Sequence, residues 1–316
     1  GTDQFLIGDA YWNGIAPREE LLKTIASTYA APGVTAWYSS LPELNITNGA
    51  NFYQTREAKI ATLLNDSSRG LSDEQKEYWQ NINSQVETPF QYGYYEGWLT
   101  INTCFELLMF AILAVCIVLA PVFSGEYQAG TDAVILSGKY GKTKLTTAKI
   151  IASYLFGLFA FTIHILVAFG LPLVAFGVDG WNLPMQIAGT SIPYPFTFLQ
   201  GILVNLGVIY FVLFAIIGLT LLLSSKMRSP YLVLIVLVPV LFIPMFLSAN
   251  GTTGAYNLTL FLLPYYAVQP QFGSYISYQL GSLVLDAFST RTILYAVLTV
   301  CMLPLAKRGF KKHQVS

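Results

Sequence analysis

LTINTCFELLMFAILAVCIVLAPVF, residues 99–123, carries a single charge, Glu106, along its whole length. About 20 consecutive apolar residues suffice to carry a helix through the ~30 Å hydrocarbon layer, where every backbone polar group must be satisfied internally. This run is long enough, and four others approach or pass the same length at about 148–176, 197–224, 230–247 and 288–306. Composition agrees: 54% of the 316 residues are hydrophobic and 11% charged, against about 25% charged in soluble domains. Mean hydropathy of +0.54 argues against a water-soluble enzyme. With three cysteines and high apolar content, disulfide scaffolds and disordered chains are excluded as well. The reading is an all-α polytopic membrane protein.

The zero net charge conceals two unequal parts. Residues 1–97 hold 6 basic and 12 acidic side chains, and residues 98–316 hold 11 and 5. Loop 124–147 has Lys139, Lys142 and Lys144, with Lys149 just inside the next span, whereas loop 177–196 has no Lys or Arg. The turn 225–229 has Lys226 and Arg228, segment 248–287 has neither type, and the tail carries Lys307, Arg308, Lys311 and Lys312. Only Arg291 departs from this alternation. By the positive-inside rule the lysine-bearing loops and the C-terminus are cytoplasmic and residues 1–97 extracellular. Tyr92, Tyr94, Tyr95 and Trp98 have the makings of an interfacial aromatic belt. An exported N-terminal domain needs a way out, and the chain opens Gly1-Thr2-Asp3 with no apolar run before the domain. A preceding membrane helix is therefore expected, for six spans in all.

Residues 1–97 read as a small, mainly helical domain. Pro17 followed by Glu19 and Glu20 suits a helix start, and Leu21, Leu22, Ile25 and Tyr29 give it an apolar stripe. Ser72-Asp73-Glu74-Gln75 has capping-box spacing ahead of Tyr78, Trp79, Ile82 and Val86, and a third helix is expected over 54–65. Cys104, Cys116 and Cys301 all fall in spans, where they serve as small apolar residues. Residues 257–272 are apolar but too short to cross, and Pro264 and Pro270 interrupt them. With the mixed stretch 273–287 they predict a re-entrant helical hairpin dipping in from outside.

Gly138-Lys139-Tyr140-Gly141-Lys142-Thr143 is not a phosphate loop, because the required spacing puts the first glycine at Leu136. No nucleotide-binding domain and no metal-ligand cluster is legible. The informative stretch is FSGEYQAGTDAVIL, residues 123–136, followed by a basic cluster and by Lys149 at the next span. It resembles the ABC-2 type transporter permease family, whose members carry a Glu, a Gly-Thr four residues on, a Leu, and a Lys opening the following helix. Here those positions are Glu126, Gly130-Thr131, Leu136 and Lys149. The likeness extends over 98–316, and some members have a large external domain between their first two spans. The chain departs at Ser137-Gly138-Lys139-Tyr140-Gly141, where members often show Pro and Ser-Arg.

The resemblance implies the transmembrane subunit of an ABC exporter, non-catalytic itself and driven by a separate ATPase that binds the ATP. That ATPase would dock on a coupling helix in loop 124–147, with Ala129, Ala133, Val134 and Leu136 as apolar contacts, Glu126, Asp132 and Lys139 as polar handles, and closure passed to the spans as a rigid-body switch. A second copy or a homologous permease would complete the path, in a bacterial cell membrane, with lipid around it and no nucleic acid involved. The Phe- and Tyr-rich spans favour a hydrophobic or amphipathic cargo such as a peptide or lipid.

Ionisable and polar groups within spans mark candidate path residues: Glu106, His164 and Asn205, with Asn205 and Gln200 as possible partners of His164. Competing classes are an ion-coupled secondary transporter, for which Glu106 and His164 are too few, and a membrane sensor whose extracellular domain binds a ligand.

Overall fold

The computed structural model describes residue 8 and residues 11–30 and 46–311. In chain order the elements are α1 (Glu19–Tyr29), α2 (Phe52–Asn65), α3 (Asp73–Ser84), α4 (Glu96–Ala129) and α5 (Asp132–Ser137). There follow α6 (Thr146–Phe176), α7 (Phe198–Ser224), α8 (Pro230–Phe242), α9 (Ala255–Leu262), strands β1 (Ser277–Leu280) and β2 (Leu283–Asp286), and α10 (Ala287–Lys311).

Among the described residues four helices, α4, α6, α7 and α10, are long and apolar enough to cross a membrane. The chain is a helical membrane protein in that sense. The run expected to span at 230–247 is shorter: α8 and a following 3₁₀ turn end at Phe246. At 1.5 Å per residue, Pro230–Phe246 covers about 25 Å, less than the hydrocarbon thickness. Pro239 lies inside α8 and Pro244 inside the 3₁₀ turn. Each withdraws a backbone donor; the helix carries past Pro239 to Phe242, and around Pro244 the α-ladder gives way to the 3₁₀ turn.

The second departure is at 257–287. Its first part is helical, with α9 and a short turn Pro264–Ala267 separated by extended Leu263. Its second part is not helical but an antiparallel hairpin, with Ser277 opposite Asp286 and Leu280 opposite Leu283. The two-residue turn places Gly281 at φ +64°, a conformation that L side chains resist, and this favours closing a tight hairpin over continuing a helix. An all-α fold is thereby corrected to a helical one with a small β-ribbon.

Burial sorts the long helices into an inner and an outer set. α4 and α7 are each 56% buried over their most apolar window, α6 22% and α10 17%. On α6 the buried stripe is Ile150, Ser153, Gly157, Phe161, Ile165 and Phe169, at helical spacing, while Phe159, Ile163, Leu166 and Val174 lie exposed. A helix apolar all round but covered on one stripe meets lipid or another chain on the rest.

The break inside α4 at Ala120-Pro121 is capped from outside the helix. Ser224 of α7 accepts the backbone N–H groups of Phe123 and Ser124, both at 3.0 Å, and donates to the carbonyl of Ala120 at 2.7 Å. That satisfies donors a new helical turn leaves open.

The sequence-read capping box forms as expected, Ser72 and Gln75 exchanging both bonds at 3.0 and 3.2 Å. The helices α1–α3 sit on the loops that carry no Lys or Arg. Thr28 bonds Thr190 at 2.8 Å, Arg56 donates to the carbonyls of Thr190 and Ile192, and Trp79 Nε1 donates to Ser277 at 3.2 Å. Trp79 is fully buried against Tyr194 and Tyr275, with Phe272 and Phe288 completing the cluster around Tyr194. One apolar core therefore runs without interruption from Ile60 and Trp79 in this head to Phe123 and Phe310 at the opposite end.

Candidate functional site

At the end opposite the head, α4, α6, α7 and α10 converge through Phe123 against Phe310, with centroids 4.7 Å apart, and through Tyr127, whose hydroxyl donates to Ser225 O at 3.0 Å. Here the residues of the coupling pattern come together. Glu126 lies not in a loop but on the last turn of α4, and its carboxylate pairs with Lys149 Nζ near the start of α6. The same ammonium donates to Val122 O at 2.8 Å. Both side chains are largely covered, 15% exposed for Glu126 and 23% for Lys149, so this pair ties two helices rather than presenting a handle.

Gly130 closes α4 at φ +66°, the left-handed conformation that a helix end needs and glycine supplies without strain. Thr131 N–H then returns to Glu126 O at 3.0 Å. These bonds turn the chain into α5. Asp132 is buried at 7% exposure, which removes it too from the expected contact face. What projects is apolar: Val134 is 76% exposed, with Ala133 beside it. Leu136 lies on α5, its side chain outside the described residues. Lys139 is exposed, and its ammonium and that of Lys144 both approach the Tyr140 ring, at 5.6 and 4.7 Å.

The three intramembrane candidates do not converge. Asn205 is fully buried in α7 and donates to Val268 O at 3.1 Å, with its Oδ1 unpartnered. His164 is exposed on α6 and bonds its own helix at Ala160 O, 2.7 Å, rather than Asn205 or Gln200. Gln200 is spent in a capping box with Thr197. Glu106 is exposed on the 3₁₀ turn within α4, next to Leu107, which with Phe110 and His164 lines a shallow apolar groove between α4 and α6.

Arg291, the exception in the charge pattern, is wholly buried. Its guanidinium donates to Phe261 O at 3.0 Å, Gln271 Oε1 at 3.1 Å and Gln269 O at 3.5 Å. It serves as an internal cross-brace and is not a loop charge at all.

In the head, α1, α2 and residues 186–190 enclose a cavity of about 630 Å³. Its wall includes Leu22, Ile25, Phe52, Phe90, Ile187 and Gln186. The apolar stripe of α1 was legible in the sequence; that it faces an open space instead of a filled core was not, because the opposite wall comes from residues more than a hundred positions away. Among the described residues no group of three or more His, Cys, Asp or Glu side chains could hold a metal ion. No protein-family model, curated protein or solved structure matches this chain.

Proposed function

We propose that this chain is the membrane-spanning subunit of an ATP-driven exporter of the ABC-2 type, non-catalytic itself and moved by a separate ATPase. The head faces the cell exterior, the α5 corner and the C-terminus face the cytoplasm, and a second permease subunit completes the path. The cargo is hydrophobic or amphipathic. The observation that carries the reading is the Glu126–Lys149 pair at the feet of α4 and α6. It joins two spanning helices into one lever, and the Gly130 turn makes α5 the projecting tip of that lever. A push on Val134 would thus reach both spans together, which is what a rigid-body switch requires. Segregation of the basic loops at this end and of the charge-poor loops under the head supports the same sidedness.

Of the expected contacts, some face outward and others do not. Contact falls on Val134, Ala133 and Lys139, while Glu126 and Asp132 act from inside the corner.

The test is affinity capture of the chain from its native membrane, with and without Val134→Asp. Co-capture of an ATPase with phosphate-loop and signature motifs, lost in the variant, is the expected result. Substrate movement driven by a proton or sodium gradient and indifferent to ATP would overturn the proposal. So would labelling of the Lys139–Lys144 segment from outside intact cells.

A further inference from the structure

The head cavity has the chemistry of a specific ligand site. Its volume of about 630 Å³ lies inside the range of roughly 300–1,000 Å³ typical of small-molecule pockets. Among the described residues no charged side chain lines it. Its hydroxyls are mostly spent within the protein: Thr24 donates to Ile187 O at 3.1 Å, Tyr29 to Asn48 O at 2.8 Å, and Tyr53 accepts from Phe90 N–H at 2.7 Å. The cations of α2 are spent too. Arg56 is held by Thr190 O, Ile192 O and Asn83, and Lys59 by Ser27 O and Ala30 O.

One lining group stands apart. Gln186, 1% exposed, commits its amide nitrogen to Ile192 O and Tyr194 O at 3.1 and 2.7 Å, and its Oε1 has no partner. A buried acceptor left unpaired is costly, and a ligand donor would relieve it. At the rim Tyr92, 51% exposed, belongs to the aromatic run that leads into α4. Of that run Tyr95 and Trp98 turn into the core, while Tyr92 and Tyr94 stay exposed.

We infer that this cavity binds the hydrocarbon chain of a neutral single-chain amphiphile, whose head donates a hydrogen bond to Gln186 Oε1. An anionic head finds no free cation among the described wall residues, and a head without a donor leaves Oε1 unpaired. The inference is independent of ATPase coupling, because binding is read on the permease chain alone.

The experiment is photo-crosslinking of the full chain in lipid nanodiscs with a monoacylglycerol bearing a mid-chain diazirine, the adducts being located by mass spectrometry. Adducts on α1, α2 and residues 186–190 are expected, displaced by unlabelled monopalmitin. Methyl palmitate, which lacks a donor, should compete about 3- to 10-fold less well, the worth of one hydrogen bond, and palmitate should also compete less well. Ile25→Trp, filling the cavity, should abolish these adducts with circular dichroism unchanged. Should that variant fail to fold, Leu22→Trp and the competitor series carry the test. Adducts confined to exposed span residues such as Phe159 and Val174, or equal competition by all three lipids, would overturn it.

Discussion

Arg291 offers the sharpest test of how the charge-poor end is held together. It is fully buried near the start of α10, and its fork reaches positions 261, 269 and 271. Those acceptors pin the short helices after α8 to a long span. In Arg291→Lys one ammonium can keep one of the two short bonds, at 3.0 and 3.1 Å. With hydrogen bonds to charged groups at about 1.5–3 kcal/mol each, the loss should be about 2 kcal/mol. In Arg291→Met the buried charge disappears together with its desolvation cost. Phe261 O and Gln271 Oε1 are then orphaned, at about 1–3 kcal/mol for each group left unsatisfied. The net cost should be about 2–4 kcal/mol.

The assay is amide hydrogen exchange in nanodiscs. Two kcal/mol corresponds to roughly 30-fold faster exchange, and the acceleration should be confined to residues 255–272, with central α7 amides unchanged. Wild-type exchange in both variants would refute the brace. So would uniform loosening of every helix, since that would mean Arg291 acts on the whole bundle and not on this attachment.

Ser224→Ala should destabilise the foot of α4 by about 1–3 kcal/mol, because two N–H groups lose their acceptor; faster exchange at Phe123 and Ser124 measures it. Gly97→Ala should lower the melting temperature at a cost of about 1–3 kcal/mol, since a Cβ there would stand 2.5 Å from Gly177 O, a backbone atom that cannot swing aside. Gly170→Ala, with nothing within 4 Å, is the silent control.

Alkali should loosen the head. Burial pushes the Tyr78 and Tyr278 phenols up to about 12, so between pH 10 and 12 the unfolded chain releases protons that the folded one retains. Stability therefore falls as pH rises through that window and is insensitive below it. Ultraviolet phenolate titration should show these two tyrosines ionising late, and the Tyr278→Phe variant should soften the decline. Finally, Lys149→Met should uncouple the feet of α4 and α6 by leaving Glu126 buried without its cation. Its expected signature is lost ATPase coupling with the chain still folded and inserted, read by ATP hydrolysis in the captured complex.

Much of the architecture is local and could be read from the chain. Long apolar runs must become helices wherever water is excluded, so α4, α6, α7 and α10 follow from hydropathy alone. Ser72 and Gln75 cap α3 within four residues of sequence, which is why that helix start was legible too. The grouping of charge-poor loops under the head agrees with the alternation of Lys and Arg along the sequence.

Other features depend on partners remote in sequence. Arg291 looked like an error in the charge pattern until carbonyls from positions 261 and 269 surrounded it. Glu126 and Asp132 looked like exposed handles, yet folding covers both and turns Val134 outward. His164 and Asn205 share a membrane region in any linear reading but lie on differently exposed surfaces of α6 and α7. The sequence by itself determined which segments leave water, because that depends on composition over one helix length. Only the tertiary structure decided which polar groups meet and which cavity stays open, because a hydrogen bond or an empty volume needs two walls, and here the walls come from distant stretches of the chain.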